Sequence, residues 1–99
     1  MLSSPYVRPP PSGYSMYVEL LGIPRQRAGV AQLQIEATTL RQALGALRVQ
    51  LPALEELITP EGLHPSLAAN LNGDQFINDL DTRLADDDHL LILSADVGG

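Results

Sequence analysis

Leu40, Ala43, Leu44, Leu47 and Leu51 recur at i, i+3, i+4, i+7 and i+11, the spacing that lines apolar side chains along one stripe of an α-helix. Arg41, Gln42 and Arg48 fall on the other side. A helix that is apolar on one face only must lay that face against another layer. Thr39 with Gln42 three residues later forms a capping box that starts the helix. Pro52 ends it, because its ring cannot continue the hydrogen-bond ladder.

The partner layer is legible on both sides of the helix. Met16, Val18 and Leu20 alternate with Tyr17, Glu19 and Leu21, the period of two of a β-strand, and Ala31, Leu33 and Ile35 alternate in the same way. Pro24 to Gly29 between them reads as a hairpin loop. After an irregular stretch over residues 52–66, with a short turn of helix at Ala53–Ile58, Leu67, Ala69 and Leu71 predict a third strand. Asn72-Gly73 is a two-residue hairpin signal, because both residues tolerate positive φ, and a short strand at Gln75–Ile77 returns from it. Asp86-Asp87-Asp88 marks a turn. Leu90 to Leu93 is wholly apolar and reads as a central strand buried on both faces. The order predicts an α+β fold: a β-grasp, with a mixed sheet of four to five strands and one main crossing helix.

With 99 residues and 44% apolar composition, there is material for one core. Residues 1–15 hold four of the eight prolines with several serines, so they read as a flexible Pro-rich leader before a domain at 16–99. Met16 itself is an alternative start. No cysteine is present, which excludes thiolate chemistry and disulfides. The formal charge is −6 and every basic residue is arginine, so a general phosphate-backbone binder is not expected. No apolar run spans a bilayer and no secretory signal opens the chain, which predicts a cytoplasmic protein without membrane contact. Residues 1–50 carry five arginines and two glutamates, whereas residues 51–99 carry one arginine and ten acids. The acidic half is either a solvated face or a docking face for a basic partner.

Familiar catalytic constellations are missing from the sequence. Asp86, Asp87, Asp88 and His89 are too closely run to match metal-ligand spacings, so no metal is expected. No nucleophile elbow or phosphate-cradling glycine loop occurs, and the chain does not read as an enzyme by itself. What remains is the end, Ser94-Ala95-Asp96-Val97-Gly98-Gly99, which predicts a free Gly-Gly tail over residues 94–99.

These segments taken in order resemble the MoaD/ThiS group of ubiquitin-like sulfur carriers. The resemblance covers residues 16–99. It rests on Val18-Glu19-Leu20-Leu21-Gly22-Ile23-Pro24-Arg25-Gln26-Arg27-Ala28-Gly29, on Thr39-Leu40-Arg41-Gln42-Ala43-Leu44 and on Ala69-Asn70-Leu71-Asn72-Gly73. Leu84-Ala85-Asp86-Asp87-Asp88 and the closing Leu91-Ile92-Leu93-Ser94-Ala95-Asp96-Val97-Gly98-Gly99 complete it. The chain departs from the group at Asp87, where glycine is usual, and at Ser94, where proline is common; the second departure implies a looser root for the tail.

The resemblance implies a carrier rather than a catalyst. A free α-carboxylate is anionic at neutral pH and a poor electrophile. The group's solution is a ubiquitin-activating-type adenylyltransferase that uses ATP to adenylate the terminal glycine. Sulfur from a persulfide donor or from sulfide then gives a thiocarboxylate, which a sulfur-accepting synthase consumes. On that reading Gly99 is the covalent attachment site, Gly98, Val97 and Asp96 are gripped by the partner, and the chain itself binds no cofactor. Glycine suits the role because a residue without Cβ threads a narrow channel. Ile23-Pro24 with Arg27, and Pro52-Ala53-Leu54 before Gly62, lean towards the cysteine-biosynthesis carrier, with the molybdopterin-synthase small subunit close behind. The alternatives are a β-grasp interaction module or a ubiquitin-like modifier of protein lysines. Having no lysine, the chain cannot readily build lysine-linked polymers of itself.

Overall fold

Alternation over Met16 to Leu20 becomes strand β1 (Ser15–Leu20), in a computed structural model that describes residues 15–85 and 87–95. Met16, Val18 and Leu20 are buried on one face while Tyr17 and Glu19 point to the other. β2 (Gln32–Glu36) returns antiparallel beside it, with Val18 opposite Leu33 and Met16 opposite Ile35. The strand opens one residue before the boundary expected for the leader; residues 1–14 lie outside the described part.

The connection between these strands differs from the expected hairpin loop. Ile23–Ala28 forms a short helix, α1, with Pro24 in its first turn and Gly29 closing it in the left-handed conformation. The Gly29 N–H donates to Arg25 O at 2.9 Å. Proline at the start fixes φ where no donor is needed, and glycine at the end accepts positive φ without a Cβ clash. Those two residues were visible in the sequence as breakers; their order makes them caps.

Helix α2 (Leu40–Gln50) buries Leu40, Ala43, Leu44 and Leu47, as the stripe predicts, while Leu51 stays half-buried at its end. Thr39 Oγ1 accepts from Gln42 N at 3.2 Å. The reciprocal half of the capping box is displaced by one residue: Gln42 Oε1 accepts from Thr38 N at 2.8 Å and from Thr38 Oγ1 at 2.9 Å. Two more orphan donors of the first turn are met from far along the chain, Leu40 N by Thr82 O at 3.0 Å and Arg41 N by Leu80 O at 2.9 Å. The 80–84 segment is therefore a tertiary cap.

Pro52–Leu54 is a 3₁₀ turn that buries Leu54, in place of the longer helical turn expected there. A small separate hairpin follows, β3 (Ile58–Thr59) with β4 (Gly62–Leu63). β5 (Leu67–Leu71) and β6 (Gln75–Ile77) then pair around Asn72 and Gly73, whose φ values are +60° and +70°. Asp74 N closes the turn on Leu71 O at 3.0 Å, but the register sets Leu71 against Gln75, so the loop holds Asp74 as well as the expected pair.

β7 (His89–Ser94) enters the middle of a five-stranded mixed sheet of order β2-β1-β7-β5-β6, parallel to β1 and antiparallel to β5. Its central position agrees with the sequence. Its burial is one-sided, however: Leu90 and Ile92 are fully buried, whereas Leu91 and Leu93 are half-buried on the opposite face. Only one face of the sheet carries α2, so the other has no second layer among the described residues. This is a β-grasp of the ubiquitin-like type.

Candidate functional site

The last described residues of β7 are held from three sides. Ser94 is 5% exposed, and its Oγ accepts a hydrogen bond from Ile23 N at 2.9 Å. Leu21 N donates to Ile92 O at 2.9 Å, and Ala95 N donates to Ser66 O at 2.7 Å. Gly22 makes the close approach possible: at φ +70°, ψ −130° it occupies backbone space that L side chains rarely adopt, and a Cβ there would stand 2.5 Å from Ser94 Oγ. The tail's root is therefore tightly fixed, which corrects the looseness expected from serine in place of proline. A hydroxyl supplies the partner that a proline ring could not.

Ser66, on the opposite side, is fixed by His64. Its N–H donates to His64 Nδ1 at 3.0 Å, and its Oγ lies 2.9 Å from the same nitrogen. An amide can only donate, so Nδ1 is the acceptor and the neutral ring carries its proton on Nε2. Beside this point a groove of about 550 Å³ passes Ala95, with Leu63, Leu67, Phe76 and Ile77 among its walls.

Asp96, Val97, Gly98 and Gly99, the residues assigned to attachment and tail recognition, lie outside the described residues. What the structure brings together is their platform: Gly22, Ile23, Ser66, Ser94 and Ala95. Sequence reasoning set Ser94 and Ala95 in the free tail, whereas Ser94 ends β7 and Ala95 is tied to Ser66, and it did not single out Ser66. The one signal that pointed to them was glycine immediately before an Ile-Pro pair, which marks a position needing unusual backbone.

The uncovered sheet face continues from the platform. Register places Tyr17, Leu91, Asn70 and Phe76 on it, with Asn70 opposite both Leu91 and Phe76. Phe76 is 69% exposed, and the buried Asn70 Oδ1 has no hydrogen-bond partner among the described residues. At the far end Tyr17 meets His89 edge-on at 5.4 Å, and His89 Nε2 lies 3.1 Å from Glu19 Oε1.

The acidic turn is used structurally. Asp88 Oδ2 accepts from Ala85 N at 2.8 Å and Asp88 Oδ1 from Asn72 Nδ2 at 3.1 Å. Asp86 lies outside the described residues. Among the described residues no group of three or more His, Asp or Glu side chains is placed to hold a metal ion.

No protein-family model matches the sequence, and no curated protein matches it. Solved structures do. SAMP1 from Haloferax volcanii is 26% identical over 86% of this chain and 99% of its own, with a TM-score of 0.72. A Pyrococcus furiosus protein named as a molybdopterin converting factor, subunit 1, is 21% identical over 81% of this chain and 95% of its own, at 0.67. A chain of the Amycolatopsis orientalis BexX/CysO complex is 22% identical over 85% of this chain and 99% of its own, at 0.70. The chain is thus a ubiquitin-like β-grasp protein, and the MoaD/ThiS resemblance of its sequence extends to its three-dimensional structure.

Proposed function

We propose that this protein is a sulfur carrier whose Gly99 carboxylate is adenylated and converted to a thiocarboxylate. The observation that carries the reading is the clamped end of β7. Ser94 and Ala95 are fixed by α1 and by the start of β5, and the sequence continues from there through only Asp96-Val97 to Gly98-Gly99. A short segment on a rigid root can be delivered to a partner's active site at a defined distance, with little ordering entropy left to lose. The chain's own residues supply position; the chemistry is the partner's.

In that chemistry a carboxylate oxygen of Gly99 attacks the α-phosphorus of ATP and pyrophosphate leaves. Sulfide sulfur then attacks the acyl carbon and AMP departs, leaving the thiocarboxylate. The activating enzyme holds the ATP, and this chain acts as co-substrate rather than catalyst. Asp96, Val97 and Gly98 give that enzyme its grip on the tail, while exposed Phe76 with Leu91 on the uncovered sheet face gives it an apolar surface beside the root. The sequence leans towards cysteine biosynthesis as the destination of the sulfur, and the name of one structural neighbour, a molybdopterin converting factor subunit, favours molybdopterin biosynthesis. A cytoplasmic location suits an ATP-dependent partner, and no helix among the described residues is long and apolar enough to cross a membrane.

A ubiquitin-like modifier is the second reading, favoured by the likeness to a small archaeal modifier protein. Mass spectrometry of the protein after incubation with a cognate adenylyltransferase, ATP and sulfide separates the two. Exchange of one oxygen for sulfur at Gly99 supports the carrier, and a thiol-resistant conjugate to another protein supports the modifier. An unchanged mass with an active partner overturns both and leaves a binding module.

A further inference from the structure

Gly45 stands in the interior of α2, where glycine is less favourable than alanine because it loses more backbone freedom on folding. Nothing among the described residues requires it. Its φ is not positive, and no atom of another described part of the protein lies within 4 Å of where its Cβ would stand. The space a side chain would fill belongs instead to a concavity of about 290 Å³, walled by Arg41, Arg48, Leu44, Leu80, Thr59 and Pro60.

Two cations face this space from either side of the glycine, one turn away in each direction. Arg41 is held in place by Asp81, whose Oδ1 lies 3.0 Å from Nη2, and its other N–H donors have no partner among the described residues. Arg48 lies half-buried along the wall of the concavity. A carboxylate arriving there would meet the guanidinium groups of both arginines, and a charge-assisted hydrogen bond to such a group is stronger than a neutral one. One turn beyond Gly45, Val49 is 79% exposed, the most exposed of the large apolar side chains described. The surface therefore combines cationic donors, an apolar rim and a gap for close approach.

We propose that this face of α2 docks a partner protein through a segment carrying one carboxylate among apolar side chains. The carboxylate would lie between Arg41 and Arg48, over Gly45, and the neighbouring apolar side chains would cover Val49 and Leu80. Arginine's planar fork matches a carboxylate, and the apolar walls disfavour a fully hydrated phosphate. The concavity has room for a single side chain rather than a folded element. The proposal is independent of what happens at Gly99.

The test titrates the full chain, isotopically labelled for amide NMR, with a short peptide of leucine and alanine around one central glutamate. Shifts confined to the amides near Arg41, Gly45, Arg48 and Val49 are expected, weakened about tenfold when glutamine replaces the glutamate and about tenfold in Arg48→Gln. Gly45→Ala is the decisive variant, because it should melt higher than the parent yet bind the peptide less tightly. A Gly45→Ala protein that is more stable and binds unchanged overturns the proposal, as do shifts located elsewhere or no shifts at all. Equal shifts with inorganic phosphate reduce the surface to an oxyanion site and overturn the protein partner. Concentration-dependent shifts of the same amides without peptide make a second copy the occupant, and overturn it likewise.

Discussion

Gly22 and Ser94 show how much of the site is set by two small residues far apart in sequence. Glycine at 22 permits a φ of +70° and leaves space for the Ser94 hydroxyl, and that hydroxyl satisfies Ile23 N, an early donor of α1. Gly22→Ala is expected to lower stability by about 1–3 kcal/mol through backbone strain and the Oγ clash. Ser94→Ala should lower it by about 1–3 kcal/mol because Ile23 N loses its acceptor. The double variant should cost less than the sum, since removing Oγ also removes the nearest atom the new Cβ would meet. Urea unfolding of the four proteins checks this; strict additivity would mean that the two residues do not act on one another. Asn72 carries a comparable double duty, adopting φ +60° for the turn while its Oδ1 accepts from His89 N at 2.8 Å and pins the start of β7.

At the scale of elements, periodicity was informative wherever one face is buried. The α2 stripe and the alternation of β1, β2 and β5 all emerged with the predicted side inward, because burial on one face stamps its period on the sequence. Leu44→Ala should cost about 2–5 kcal/mol by opening a cavity under α2, measurable as a lower unfolding midpoint. A neutral result would place the helix face wrongly. Short elements carried less information. α1 has six residues, too few for a stripe to show, and its Pro24 and Gly29 read as loop residues until their positions as caps are seen. Leu91 and Leu93 misled in another way, since apolar residues occur also on a face that only a partner would cover.

For the whole molecule the consequence is a separation between what holds the fold and what acts. The core joins α2 to one side of the sheet, whereas the proposed chemistry lies at residues beyond Ala95. Deleting Gly99 is therefore expected to abolish activation by the adenylyltransferase while leaving the melting temperature nearly unchanged. Calorimetry and mass spectrometry on the same sample test both halves, and a large loss of stability would show that the tail is packed.

The sequence by itself determined the order of the five sheet strands and the main helix, the inward face of each long element, the Asn-Gly turn and the Gly-Gly ending, because each is written in neighbouring residues through local sterics or burial period. Only the tertiary structure decided how β7 is clamped, how loop carbonyls at Leu80 and Thr82 cap α2, and why Gly45 and Arg48 face an open concavity. Those features depend on contacts between residues such as Ile23 and Ser94, 71 positions apart, and no local pattern records which distant atom will supply a hydrogen bond.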